Sequence, residues 1–284
     1  MRIASITAAV SALVMAHLPA AAEGVLAGKP TPGGISLQRP VTPIAREMQW
    51  MDNFLLVIIT LITLFVTALL AYTVWRFRAS NNPNPPQTFT HNAKLEVIWT
   101  AVPVLILVII AVPSLRLLFN QLDVPEPDVT IKATGYQWFW GFEYPEHGVD
   151  FTAIMLERDQ LEEYGYQPDE YLLATDNRLV VPVDANVHVL TTAADVIHNF
   201  ALPSFGLKMD AIPGRLNETW FRAEEEGLYF GQCSELCGIN HAYMPITIEV
   251  VSQEAYDAWI AEQVAKAQGE TDVADAAAAA TTQP

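Results

Sequence analysis

The chain is 284 residues long and carries 32 acids against 15 bases, a formal net charge of −17, which argues against nucleic acid as a partner. It is also 51% hydrophobic and only 17% charged, with a mean hydropathy of +0.23, so it is neither disordered nor an ordinary acidic soluble protein, and its apolar residues must be concentrated in segments. Two cysteines cannot build the multi-bridge framework of a small secreted scaffold, and they need another explanation.

The first segment has Arg2, an apolar stretch from Ile3 to Leu18 and a small-residue site at Ala20-Ala21-Ala22. It reads as a signal peptide over residues 1–22, which places the adjoining segment outside the cytoplasm. Residues 23–51 contain Gly and Pro and lack periodicity, and are expected to form an extended, exported lead-in. Residues 52–118 contain two uncharged runs: 23 residues between Asp52 and Arg76, and 19 between Glu96 and Arg116. Each is long enough as a helix to cross the hydrocarbon layer, which predicts a two-helix transmembrane hairpin with spans at about 53–75 and 97–115. Pro103 and Pro113 are tolerated in such helices. The connection carries Arg76, Arg78 and Lys94 and no acid, so it belongs on the cytoplasmic side. Thr60, Thr63 and Thr67 share one face of the first span, where they can meet other helices or bond back to their own carbonyls.

From Asp123 the pattern changes to short β-type runs: Val129–Ala133, Leu179–Val181, Val187–Thr191, Thr219–Arg222 and Ile246–Val251, separated by turn-rich stretches. This predicts an all-β sandwich or barrel over residues 123–262. The acid excess lies here, with 28 acids against 7 bases after residue 122. A short helix is expected around Glu254 to Ala265, and beyond it the Ala-rich tail over 263–284 is expected to be disordered.

The segment from Gly231 to Pro245 carries the chemistry. Cys233, Cys237, His241 and Met244 form a C-x3-C-x3-H-x2-M pattern, close enough for one loop to fold around a metal centre. Thiolates and a thioether beside an imidazole favour copper; zinc sites use Cys and His without thioether, and hard cations require oxygen. Paired thiolates can bridge two ions, so the spacing argues for a dinuclear copper centre over a mononuclear one. A further imidazole is expected from upstream, and His198 is the best placed. His188 alternates with Val187 and Val189 as an ordinary strand residue, His17 lies in the signal peptide, His91 on the cytoplasmic side and His147 in a loop. A disulfide is the competing reading in an oxidising compartment, but it would close only a short loop and leave His241 and Met244 unexplained.

The two-span hairpin, the run Gly135-Tyr136-Gln137-Trp138-Phe139-Trp140-Gly141-Phe142-Glu143-Tyr144, the run Asp195-Val196-Ile197-His198 and the Cys233–Met244 loop occur in one order, and together they resemble subunit II of the haem-copper cytochrome c oxidases. The resemblance implies a cupredoxin-like Greek-key β-sandwich and a dinuclear CuA centre of two copper ions. Cys233 and Cys237 would bridge the ions, His198 and His241 would bind one each, and Met244 and the Glu235 carbonyl would be weak axial ligands. The Glu235 side chain would reach a Mg or Mn ion shared with subunit I. The resemblance further makes Trp138 the electron-entry indole, and Glu143, Asp176 and Asp195 part of the acidic face that docks cytochrome c. It makes Glu96 the cytoplasmic mouth of a proton pathway, although the residue also suits the start of a helix.

The expected function is thus electron entry from cytochrome c towards haem in subunit I, where O2 is reduced to water with proton translocation. The expected place is a bacterial inner membrane with the copper domain on the periplasmic side, among other oxidase subunits. The rival from a different class is a membrane-anchored copper-delivery or thiol-redox protein; Met244, His198 and the two spans speak against it. Quinol-oxidising relatives lack the copper ligands, and the chain has no C-x2-C-H haem attachment.

Overall fold

The computed structural model describes residues 28–81 and 88–281. The signal peptide read at 1–22 and the first residues of the lead-in lie outside it, as do six residues of the connection between the spans. Helix α1 spans Pro43–Phe77 and helix α2 spans Ala93–Leu122. Both are long and apolar enough to cross a membrane, and the apolar stretch of each is unburied within the chain, as surfaces meeting lipid or other subunits must be.

Each helix outruns its apolar stretch at the end nearer the β-domain. Helix α1 takes in the last nine residues of the expected lead-in, 43–51, because Thr42 caps it: the Thr42 hydroxyl accepts from Ala45 N at 3.0 Å and donates to the Phe205 carbonyl at 2.8 Å. Pro43 comes next as the first helical residue, where its missing N–H costs nothing. This first part of α1 is fixed to the β-domain through buried Ile44 and Ala45 and an ion pair between Arg46 and Glu224. On the α2 side, Trp220 Nε1 donates to the Asn120 carbonyl at 3.3 Å, and Asn120 Nδ2 donates to the Glu47 carboxylate at 3.0 Å. The lead-in is likewise held against the domain, through Lys29 to Asp169 and Glu170 and Arg39 to Glu225, with Val41 buried in the core.

The β-domain is two five-stranded sheets. One runs in the order β3-β2-β1-β5-β8 and the other β4-β10-β9-β6-β7. In chain order the strands are β1 Val129–Tyr136, β2 Phe139–Tyr144, β3 Val149–Ala153, β4 Leu179–Pro182, β5 Val187–Ala193, β6 His198–Leu202, β7 Leu207–Ala211, β8 Asn217–Phe221, β9 Gly227–Cys233 and β10 Pro245–Val251. β1 pairs parallel to β5 and β4 parallel to β10; the other named pairings are antiparallel. Val187, Val189, Thr191 and Ala193 of β5 are buried while the residues between them are not, the alternation of a sheet with one core face. The core joins Ile131, Trp140, Phe142, Phe200 and Ile246 from both sheets with Phe205 of the 3-10 turn between β6 and β7.

Helix α3 covers Gln253–Thr281, so it runs past the Ala265 limit read from the sequence and into the tail expected to be disordered. An alanine-rich segment has the highest intrinsic helix propensity, and that governs where no tertiary packing opposes it. Its first turns pack Tyr256, Trp259 and Ile260 onto the domain, with the Trp259 ring 5.3 Å from that of Tyr144.

Candidate metal centre

The sheet β4-β10-β9-β6-β7 brings the candidate ligands together at one end. His198 opens β6, whose five residues are all buried; Cys233 closes β9; and β10 begins immediately after Met244. The loop between β9 and β10 is closed by Cys233 N donating to the Met244 carbonyl at 3.0 Å, and it is tied to β6 by Ser234 N donating to the Asn199 carbonyl at 3.1 Å. The loop therefore cannot swing away from His198. Within it, Gly238 has φ +129°, open to glycine and strained for other residues, and His241 begins a single 3-10 turn.

The geometry is a chain of four donors. His198 Nδ1 lies 3.9 Å from Cys233 Sγ, the two sulfurs are 3.9 Å apart, and Cys237 Sγ is 3.6 Å from His241 Nδ1. At that separation the sulfurs are not bonded to one another, since a disulfide needs ~2.05 Å; both cysteines are free thiols. Metal–thiolate bonds are about 2.3 Å, so an ion beside this pair can reach both sulfurs. His198, Cys233 and Cys237 are buried, with their ligand atoms within 4.8 Å of one another. Met244 is buried in the same core cluster as the two cysteines, and the Glu235 carbonyl is 3.3 Å from Cys233 Sγ. The donor set fits copper: soft sulfur and imidazole, with one thioether and one carbonyl in reserve.

Charge is arranged for a cation. Burial raises the Cys233 thiol, but hydrogen bonds from His198 and from backbone N–H groups outweigh it and lower it to about 6. Burial and the neighbouring Cys233 push Cys237 up to about 12. The pair therefore holds one proton against one thiolate at neutral pH, and a bound cation replaces that remaining proton. His198 Nε2 lies 2.8 Å from Asp195 Oδ1. Burial tends to raise Asp195, but its bonds with His198, Val196 N and Gln137 N hold it below the usual carboxylate range. An ionised Asp195 accepts a hydrogen bond from Nε2–H, so that once a cation replaces the proton Nδ1 shares with Cys233, Nδ1 is left as the lone pair facing the ion, the orienting role a carboxylate plays behind a metal-ligating histidine.

The other nominated residues are distributed over the molecule. Trp138 is half-buried, with its ring against Gly238 of the ligand loop. Trp140 is fully buried, its ring centroid 6.1 Å from that of His198. Glu143 pairs with Lys132 at 2.7 Å. Asp176 Oδ1 accepts from Ile154 N at 2.7 Å and from Asn177 N at 2.8 Å. Glu96 sits in the first turn of α2, where its carboxylate accepts from Asn92 N at 3.3 Å. His188 pairs with Glu218 on a strand outside the ligand cluster, as its alternation predicts. Three residues at the site escaped the reading from sequence: Asp195 in its bond to His198, Gln137, and Gly135, where a Cβ would lie 2.7 Å from His198 Cδ2. The glycines flanking the aromatic run are the one sequence signal that could have revealed such a close approach.

Fold and site together define a membrane-anchored β-sandwich protein whose C-terminal domain can hold a soft metal. The family model described as cytochrome c oxidase subunit II, periplasmic domain, matches residues 129–251, and the one described as its transmembrane domain matches residues 30–117. Cytochrome c oxidase subunit 2 of Cereibacter sphaeroides is 53% identical over 247 residues, covering 82% of this chain and 81% of the relative. A probable cytochrome c oxidase subunit 2 of Rickettsia felis is 52% identical over 239 residues, covering 84% of this chain and 74% of the relative. A solved structure, the periplasmic domain of subunit II of cytochrome oxidase of Bradyrhizobium japonicum, shares 50% identity and a TM-score of 0.46, and covers 51% of this chain and 99% of that one. The chain belongs to the cytochrome c oxidase subunit II family.

Proposed function

We propose that this chain is the electron-entry subunit of its oxidase, taking electrons from cytochrome c on the exported side for delivery to haem in subunit I. The observation that carries the reading is the run of nitrogen, sulfur, sulfur and nitrogen donors, each 3.6–3.9 Å from the next, which would let each of two ions reach one imidazole and both thiolates. Cys233 and Cys237 would bridge two copper ions, His198 and His241 would bind one each, and Met244 and the Glu235 carbonyl would approach weakly from the sides. Bound there, the two coppers supply a one-electron relay. The loop, closed by Cys233 N on the Met244 carbonyl and tied to β6 by Ser234 N on the Asn199 carbonyl, keeps its ligands fixed whichever oxidation state is present, which favours fast transfer at small driving force.

Around this centre, Trp138 is the entry indole, and Glu143, Asp176 and Asp195 contribute to a face that attracts a basic cytochrome. The exposed Glu235 side chain is available to a Mg or Mn ion shared with subunit I. Glu96, at the loop-side end of α2, is the candidate mouth of a proton path. A copper-delivery or thiol-redox protein needs thiols open to exchange, whereas Cys233 and Cys237 are 5% and 3% exposed.

The full chain purified in detergent and loaded with copper should hold two ions. Its electron paramagnetic resonance spectrum should show the seven-line hyperfine pattern of one electron shared between two copper nuclei; one ion with a four-line pattern would overturn the dinuclear reading. The topology rests on Arg76, Arg78 and Lys94 in the connection between the helices. Protease added outside bacterial spheroplasts should remove the β-domain and spare that connection, and the reverse pattern of cleavage would invert the assignment.

A further inference from the structure

The segment that carries Trp138 is bonded to both halves of the ligand cluster through one residue. Gln137 N donates to Asp195 Oδ2 at 2.7 Å, and the other oxygen of that carboxylate bonds His198 Nε2. The Gln137 side-chain Nε2 donates to the Cys237 carbonyl at 2.7 Å. Gln137 thereby joins the His198 side of the site to the Cys237 side, across 100 residues of sequence on the second of these bonds.

The next residue touches the same loop. A Cβ built on Gly238 would lie 3.0 Å from Trp138 Cζ2, 3.2 Å from Trp138 Nε1 and 3.1 Å from Gln137 Nε2, so the indole and the amide both rest on Gly238 because it has no side chain. Trp138 Nε1 is buried there without a hydrogen-bond partner. A buried, unpaired N–H disfavours its own position, so the indole is not held against the loop by a bond of its own. The two hydrogen bonds of the preceding residue supply that hold.

We infer that Gln137 is a positioning residue for electron entry, fixing the Trp138 indole against Gly238, one residue from Cys237. The inference rests on the reading of Trp138 as the entry indole. Gln137→Met keeps the side-chain length and the backbone bond to Asp195 and removes only the donor to Cys237. In the assembled oxidase, the saturating rate of cytochrome c oxidation in a single turnover should fall two- to fivefold, where fivefold is about the factor that one net hydrogen bond sustains. The KM for cytochrome c, its salt dependence and the copper hyperfine pattern should stay as they are. Independently of copper, the Trp138 indole N–H of the metal-free chain, assigned by its loss in Trp138→Phe, should exchange with solvent faster in Gln137→Met.

Gly238→Ala, which inserts a methyl group between ring and loop, should slow the same step with Gln137 intact. If Trp138→Ala leaves the saturating rate unchanged, the entry reading itself falls. If Trp138→Ala slows transfer while Gln137→Met changes neither rate nor exchange, the inference about Gln137 alone falls. A change in the hyperfine pattern of Gln137→Met would also overturn it, by showing that the residue acts on the centre rather than on the indole.

Discussion

Replacing either Cys233 or Cys237 by serine should abolish the paired centre, leaving at most one copper per chain and no seven-line pattern. The fold should survive. Serine is close to cysteine in size, and the cost is one buried hydroxyl short of partners, about 1–3 kcal/mol, because the two sulfurs are held by the β9–β10 loop closure rather than by a bond between them. The hard oxygen of serine, protonated at neutral pH, cannot replace a bridging thiolate for a soft ion. The two variants should also differ. Cys233 is the thiol that faces His198 and is lowered to about 6, so its loss removes the thiolate already present at neutral pH. Cys237→Ser retains that thiolate beside His198 and should keep a single, weakly held ion with a four-line pattern. Met244→Leu removes one weak contact and should retain both ions with a shifted potential. Metal content, hyperfine pattern and thermal unfolding of each purified variant decide among these outcomes; a seven-line pattern surviving in either serine variant would refute the bridging role.

How much of this was readable in advance depended on whether the contacts are local in sequence. Cys233, Cys237, His241 and Met244 fall within one short loop, so their types and spacing pointed to the chemistry, and His198 emerged by elimination among six histidines. The strand β5 was legible because its core face alternates. Strand β6 was not, because all five of its residues are buried and alternation disappears when both faces are covered. The start of α1 was missed because Thr42 is recruited as a cap by Phe205, 163 residues away, and no periodic pattern announces it. The role of Asp195 was hidden for a related reason. Its negative charge suggested docking, whereas the turn before β6 aims its carboxylate back at His198 three residues later. Gln137 carried no signal at all, since its partner is a main-chain carbonyl, and any residue type offers one.

Docking and transfer should fail in opposite ways, and the structure sharpens how to separate them. Glu143 is paired with Lys132, so Glu143→Gln both removes a negative charge and exposes a positive one to a basic partner. Asp176 is half-buried and its Oδ1 accepts from Ile154 N and Asn177 N, so Asp176→Asn, which keeps that acceptor and removes the charge, is the variant that reads docking. Each such change should raise the KM for cytochrome c by about two- to fivefold, as exposed charges do. Combined changes should flatten the dependence of association on ionic strength, because surface charges are screened beyond ~8 Å at physiological salt. The saturating rate should hold. Asp195→Asn belongs to neither class, since Asp195 also bonds His198 and Gln137, and it should alter the copper potential together with KM. Trp138→Ala should do the reverse of the docking variants. It removes the ring that touches the ligand loop at Gly238 without removing a charge, so affinity and salt dependence should be nearly unchanged while transfer slows by orders of magnitude. Stopped-flow oxidation of cytochrome c by the assembled enzyme, at several salt concentrations, reads both quantities. Trp140 supplies the control, because it is also an indole near His198 but is wholly within the core. Trp140→Phe should lower stability and leave the saturating rate intact, and if it slows transfer as much as Trp138→Ala, entry does not run through Trp138 alone.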